Sequence, residues 1–260
     1  MTHRPVGPGP AIHVFSTIDA LAAHAAQTLI QIAGSTRDRR IAIALSGGKT
    51  PATVDQHLAA LAQGAIDWSG IEVFFSDERS VPPDHPDSNY GLAHRQLLSR
   101  VPIPAAQIHR LEGDARDLDA AARRAEAEIR AHLPSGANGI PVFDLIWLGI
   151  GTDGHTASLF PGTTAVGENS RLVVANVPPA PLVPRLTFTF PLINAARRIQ
   201  LLVVGAEKAA VVEEILGRGG GETSMALAAR VRPTNGRLEW LLDAAAGARL
   251  PLDGNTPTGA

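Results

Sequence analysis

The segment from Asp144 to Pro161, DLIWLGIGTDGHTASLFP, holds the residues best suited to chemistry. Gly151, Asp153, Gly154 and His155 follow an apolar run, Leu145 to Ile150, broken only by Gly149. Such a run reads as a strand buried on both faces. Glycines let the backbone turn sharply and let a ligand come close. The imidazole of His155 then emerges at the carboxyl end of a central strand, the edge at which open α/β sheets bind ligands. An unperturbed imidazole titrates at about pH 6.5, so such a ring can take a proton from water near neutrality. Gly149, Gly151 and Gly154 also satisfy G-x-G-x-x-G. A dinucleotide fingerprint, however, opens a long helix and has an acid at the end of the next strand. Here Pro161 follows soon after, and the nearest acid, Glu168, precedes the next apolar run.

Three further strand ends carry polar groups: Ser46-Gly47-Gly48, Asp77 to Arg79, and Lys208. Taken singly, each has a plain reading as a tight turn, a surface ion pair or a solvated lysine. Taken together in a parallel sheet, they converge on the edge that carries His155. Ser46 to Pro51 reads as an anion cradle, because two glycines expose backbone N–H groups at a helix start. It is not a P-loop, which requires glycine where Ile43 stands. Ser46 also sits in a degenerate nucleophile elbow whose first glycine is replaced by Ala44, and the order Ser46, Asp77 or Asp153, His155 would suit a hydrolase triad. No G-x-S-x-G and no H-E-x-x-H occurs. Asp84, His85 and Asp87 lie in a proline-rich loop and read as solvated charges rather than metal ligands.

The elements that must position these groups alternate. Strands are expected at 12–15, 41–45, 71–75, 108–111, 143–150, 172–177, 186–190, 199–204 and 237–243, the last closing the sheet. Helices are expected at 20–32 with Gly34 as C-cap, from Pro51 to 63, and at 89–100, 118–133, 191–196 and 207–216, with a short helix or extended piece at 225–229. Strand–helix alternation argues for one α/β domain over 1–260, built on a Rossmann-like, mostly parallel, doubly wound sheet with helices on both faces. Residues 1–10 and 254–260 are expected to be flexible. A lid or small subdomain is compatible with the long loops at 80–88 and 178–184.

The chain has 260 residues, 45% hydrophobic and 18% charged, with a formal net charge of -2. That balance argues against a nucleic-acid groove or a polybasic membrane patch. No cysteine is present, which removes disulfides, thiol nucleophiles and cysteine-ligated metals and fits a cytoplasmic enzyme. MTHRPVGPGP does not read as a signal peptide, and no run approaches the ~20 apolar residues of a membrane helix.

Several stretches together resemble the 6-phosphogluconolactonases. They are LSGGKTP (Leu45–Pro51), SDERSVPPDHPDSNYG (Ser76–Gly91), GIGTDGHTASLFPG (Gly149–Gly162), PRLT (Pro184–Thr187) and VVGAEKA (Val203–Ala209), and they cover most of the chain in the expected order. Related deaminases acting on glucosamine 6-phosphate share a similar D-G-H, but the glutamate they carry after the histidine is absent here. The resemblance implies a fold shared with those deaminases and with ribose-phosphate isomerases. It also implies hydrolysis of 6-phospho-D-glucono-1,5-lactone to 6-phosphogluconate in the oxidative pentose phosphate pathway, with a sugar-phosphate deaminase or isomerase, or a non-catalytic sensor, as rivals. His155 is then the general base that activates water for attack on C1. Asp153, only two residues away, is not the preferred orienting carboxylate, and Asp77 is an equally good candidate. Arg79, Arg185 and Lys208 are the cations for phosphate or oxyanion, Arg79 and Lys208 being those the resemblance places in the site. Ser46, Gly47, Gly48, Lys49, Thr50, Asn89, Gly151 and Gly154 complete the binding set, with the glycine N–H groups at 47, 48, 151 or 154 as oxyanion donors. The reaction requires no metal or organic cofactor, and the oligomeric state is left open.

Overall fold

The structure is a computed structural model that describes residues 10–36, 38–61, 64–217 and 224–251 and the backbone of 258–259. Seven strands form one sheet, all pairs parallel: β1 (Ala11–Phe15), β2 (Ile41–Leu45), β3 (Ile71–Phe75), β5 (Leu145–Leu148), β8 (Arg198–Val203), β9 (Arg237–Asp243) and β10 (Thr258–Gly259). Their order is β10-β1-β9-β8-β5-β2-β3. Every residue of β2, β3 and β5 is buried, so both sheet faces are covered along these strands. This is why they read in sequence as largely apolar runs rather than alternating ones, interrupted only by Glu72 in β3. The architecture is the mostly parallel α/β class expected from the strand–helix alternation.

Helices flank the sheet. α1 (Ile18–Ser35) starts at Thr17, whose Oγ1 accepts the Ala20 N–H at 3.1 Å. Its buried stripe of Leu21, Ala22, Ala25, Ala26 and Leu29 packs toward α2 (Lys49–Leu61) and the sheet. Gly34 is not the cap: the helix runs through it to Ser35, and the Thr36 N–H closes on Ile32 O. α4 (Leu118–His132) begins at Asp117, whose carboxylate accepts the Ala120 N–H. α5 (Phe190–Ile193) and α6 (Ala209–Leu216) are short. The helix expected at 89–100 is α3 (Asn89–Ala93) running into a wider π turn, His94–Leu98.

A second sheet was not foreseen. β4 (Asp77–Arg79), β7 (Arg185–Phe188) and β6 (Val173–Asn176) pair antiparallel in the order β4-β7-β6. The crossover between sheets is Ser76: its N–H donates to Leu45 O of β2, and its C=O accepts the Phe188 N–H of β7, both at 2.8 Å. One residue therefore ends the parallel strand and starts the antiparallel one. Other expectations shift in detail. The strand at 108–111 reduces to a single bridge, Ile108 to Val73, on the edge of β3. β9 does not close the sheet but lies between β1 and β8. The expected end of α2 at 63, the loop at 217–221 and most of both termini lie outside the described residues. No helix among the described residues is long and apolar enough to cross a membrane.

A polar row threads the core. Trp147, Gln200 and Glu239 are register partners on β5, β8 and β9. Trp147 Nε1 donates to Gln200 Oε1 at 2.8 Å, while Gln200 Nε2 donates to Glu239 Oε2 at 2.7 Å and to Thr28 Oγ1 of α1 at 3.0 Å. Gln200→Leu keeps the volume but orphans a buried indole N–H. It should lower unfolding stability by about 1–3 kcal/mol, read as a reduced urea midpoint at constant m-value.

Candidate active site

β8, β5, β2 and β3 are adjacent and parallel, so their carboxyl ends open on one edge. They release 204–208, 149–155, 46–48 and 76–79, the four segments singled out in the sequence. β2 leads to β3 on one side, whereas β5 leads to β8 on the other. The crevice between β2 and β5 is thus a topological switch point, where open α/β sheets hold their ligands.

The loop after β5 is closed by two backbone bonds, Gly151 N to His155 O at 2.8 Å and Gly154 N to Gly151 O at 3.1 Å. Gly154 has φ 80°, and an added Cβ would lie 2.5 Å from the Ala226 side chain, so only glycine fits. This tight loop folds Asp153 onto His155: Asp153 Oδ1 lies 2.6 Å from the ring Nδ1 and accepts the His155 N–H at 3.2 Å. Asp153 is therefore the orienting carboxylate, contrary to the reading that set it aside. With Nδ1–H donated to Asp153, Nε2 is the basic nitrogen, and it has no partner among the described residues. Burial alone would raise the Asp153 carboxyl, but hydrogen bonds from the His155 ring and N–H outweigh it and hold the acid below the usual range. The stabilisation it contributes is present above the ordinary aspartate range and fades only as pH falls through the lowered value.

Asp77 does not touch His155. Its buried carboxylate accepts Ser158 Oγ at 2.6 Å, Asn89 Nδ2 at 3.2 Å and Ser76 Oγ at 3.4 Å. Ser76 Oγ also meets Ser46 Oγ at 2.9 Å. Asp77 thus fastens the ends of β2 and β3 to the segment following His155. Ser46 bonds a second serine rather than an imidazole, which removes the basis for a Ser–His triad. Gly47 lies against Asn89: a Cβ there would fall 1.7 Å from Asn89 Oδ1. Asn89 Nδ2 donates to Asp77 O at 2.9 Å as well as to its carboxylate, which fixes the amide orientation and leaves Oδ1 buried without a partner.

The cations come from the second sheet. Arg79 and Arg185 are register partners on β4 and β7. Arg185 is buried at 8% exposure, donates Nε to Val183 O at 3.1 Å, and has no carboxylate within ion-pair distance among the described residues. Burial first, and the charge of Arg79 second, depress its guanidinium, with Asp77, Glu78 and Asp87 opposing. Arg79 Nη1 donates to Asp87 O at 2.6 Å, while its Nε is buried without an acceptor. Phe160 joins base and cations: its ring centroid lies 4.3 Å from that of His155 and 5.8 Å from Arg185 Cζ.

Among the oxyanion donors, the N–H groups of Gly151 and Gly154 are consumed by their own loop. Those of Gly47 and Gly48, ahead of α2, have no acceptor among the described residues. Lys49 and Thr50 form the first turn of α2, and Lys208 ends a short turn after β8. They share the edge, but among the described residues no hydrogen bond or ion pair links their side chains to the rest. Phe160, Ser158 and Glu78 were not singled out in the sequence. Ser158 and Phe160 lie inside the Gly149–Gly162 stretch, which was the available signal. Glu78 accepts Ser88 Oγ and the N–H groups of Arg79, Asn89 and Tyr90 at 2.8–3.0 Å, drawing the loop at 80–88 onto the site. Burial raises its carboxyl, and these bonds oppose the rise.

Comparison with known proteins decides the lineage. Residues 16–240 match the family model described as glucosamine-6-phosphate isomerases/6-phosphogluconolactonase. The chain belongs to this family. It is 44% identical over 208 residues to a 6-phosphogluconolactonase of Synechocystis sp., covering 80% of this chain and 84% of the relative. It is 38% identical over 252 residues to that of Rattus norvegicus, covering 94% and 96%. The solved 6-phosphogluconolactonase of Trypanosoma brucei superposes with a TM-score of 0.80 at 31% identity, covering 93% of this chain and 99% of that one.

Within this family site, Ser158→Ala removes a hydroxyl that donates to a buried carboxylate. It should cost about 1.5–3 kcal/mol of unfolding free energy in chemical denaturation, the range for hydrogen bonds to charged groups. A change under a few tenths would mean Asp77 is held by its other donors alone.

Proposed function

We propose that the chain hydrolyses 6-phospho-D-glucono-1,5-lactone to 6-phospho-D-gluconate, a step of the oxidative pentose phosphate pathway, by general-base activation of water at His155. The observation that carries the reading is the shared ring of Phe160, against which a carboxylate-held imidazole and a buried guanidinium, without an ion-pair partner among the described residues, both pack. That arrangement offers a base for the lactone end of the substrate and positive charge for its phosphate end.

In the reaction, water donates a proton to His155 Nε2 as its oxygen attacks C1. The carbonyl becomes a tetrahedral oxyanion, which the free N–H groups of Gly47 and Gly48 receive. As the intermediate collapses, the bond from C1 to the ring oxygen breaks, and His155 returns the proton to that oxygen. Asp153 keeps the ring in one tautomer and stabilises the imidazolium between the two transfers. Arg79 and Arg185 hold the phosphate, since planar guanidiniums match its oxygens in bidentate fashion. Lys208, Lys49 and Thr50 face the same edge and add positive charge and donors. Asn89 Oδ1, buried without a donor, accepts a sugar hydroxyl. Both sheets contribute to one site, so the activity belongs to a single domain. It works in the cytoplasm, a setting the absence of cysteine fits.

His155→Ala should reduce turnover by about 10²–10⁴-fold with 6-phosphogluconate affinity nearly unchanged. The assay uses freshly generated lactone against a no-enzyme control, because the lactone also opens unaided. Wild-type turnover in this variant would remove the base assignment, and ammonia from glucosamine 6-phosphate would instead favour a deaminase. Asp153→Asn should lower kcat by a smaller factor than His155→Ala and leave KM near its original value. Arg185→Met should weaken product binding about tenfold or more in calorimetry, the equivalent of about 1.4 kcal/mol; undiminished affinity would take the phosphate away from the arginine pair.

A further inference from the structure

At the amino end of β3, opposite the edge that carries His155, two carboxylates and two imidazoles alternate in a closed ring. Glu72 Oε2 lies 2.7 Å from His109 Nε2, and His109 Nδ1 lies 3.0 Å from Glu128 Oε1. His132 Nε2 lies 3.3 Å from that same Glu128 oxygen, and His132 Nδ1 lies 3.6 Å from Glu72 Oε1. Three pieces of chain meet here. Glu72 belongs to the edge strand; His109 is fixed by its N–H on Val73 O at 2.8 Å; Glu128 and His132 are one helical turn apart on α4. Phe74 stacks on the His109 ring at 4.3 Å and 15°. The side chains of Glu72 and His109 are both buried, and none of the four belongs to the candidate active site.

We propose that Glu72, His109 and His132 form a binding site for a divalent transition-metal ion such as Zn²⁺, with Glu128 orienting His109 from outside the ligand set. One donor atom from each of the three lies within 4.8 Å of the others, so small side-chain movements bring them onto one ion. A carboxylate oxygen with two imidazole nitrogens suits zinc, nickel or copper rather than magnesium or calcium. If His109 ligates through Nε2, its Nδ1–H donates to Glu128, the carboxylate–histidine arrangement that fixes ring and tautomer around bound metals. Arg40 Nη1 holds Glu72 Oε1 at 2.6 Å and leaves Oε2, the oxygen facing His109, for the ion. With both imidazoles neutral, as ligands must be, two carboxylates against one guanidinium leave the site net negative. Both contacts of His109 are hydrogen bonds only when both ring nitrogens carry protons, so an ion at Nε2 displaces one, and affinity rises with pH. The bound ion staples α4 and the segment at 108–109 to the sheet edge. Its role is structural, because Asp77 stands five positions beyond Glu72, about 16 Å along extended chain.

The test is titration of metal-stripped, tag-free protein with Zn²⁺ by calorimetry and with Co²⁺ by visible absorption, above the ordinary histidine range. One ion per chain is expected, together with a rise in the thermal midpoint on adding Zn²⁺. His132→Ala, at a partly exposed helix end where folding is secure, should abolish both effects and leave lactone turnover unchanged. Glu128→Gln should weaken binding about 10–100-fold. His155→Ala controls for the other imidazole–carboxylate pair. Binding lost in His155→Ala but kept in His132→Ala overturns the proposal. So does binding that survives both, or its absence in the wild-type chain.

Discussion

Asp77 sits where the chain crosses from one sheet to the other, and its carboxylate is buried there. A buried charge is tolerable only when its lone pairs are used, and breaking one of its partnerships exposes the whole desolvation cost. Here the donors are Ser158, Asn89 and Ser76, which come from three different parts of the sequence. The carboxylate therefore acts as a knot. It sets the end of β3, the start of α3 and the stretch beyond His155 at fixed separations, and through Ser76 it reaches Ser46 at the end of β2. The geometry of base, cradle and cations descends from that knot.

The electrostatics divide accordingly. Near His155, one carboxylate makes a short bond to one ring nitrogen and frees the other. Across the Phe160 ring, two guanidiniums are placed side by side on paired strands, and among the described residues no carboxylate is in salt-bridge reach of Arg185. The first arrangement fixes the ring's orientation; the second is complementary to an incoming anion. Neither would hold its geometry on a loose loop. Gly154 in its left-handed conformation and Glu78 gathering three N–H groups and a hydroxyl are what make the surrounding loops rigid.

Much of this was legible in the chain itself. β2 and β3 match their expected limits because a strand buried on both faces leaves a mostly apolar run with sharp ends; β9 matches too, although its first three residues are exposed or half-buried. The convergence of four polar segments follows from parallel topology alone. What was not legible has physical reasons. β4 is Asp-Glu-Arg, a strand with no apolar residue, so its pairing with β7 is set by Ser76 and not by any pattern in its own side chains. The Asp153–His155 bond joins residues two apart, which a helical backbone turns to different faces and an extended one holds about 6.6 Å apart; it depends on the 151–155 loop closing on itself. The same closure consumes the N–H groups of Gly151 and Gly154, while those of Gly47 and Gly48 keep no acceptor among the described residues. Gly34 shows the converse error: a glycine near a helix end is permitted to cap but not compelled to.

The edge strand explains the remaining asymmetry of the molecule. β3 has no strand beyond it, and an open edge invites pairing with another chain. The Ile108 bridge and the His109 N–H cover part of that edge, while α4 delivers Glu128 and His132 against it. Glu72 is a charged residue inside an otherwise apolar strand, and burial alone would raise its carboxyl; hydrogen bonds from His109 and Arg40 outweigh that and hold it below the usual range. One strand thus carries a polar anchor at its amino end and the Asp77 knot just beyond its carboxyl end. The anchor fixes where the strand starts, and the apolar residues between fix its register with β2. The position of Asp77, and with it the spacing between imidazole and guanidinium, is consequently set from both ends of the strand.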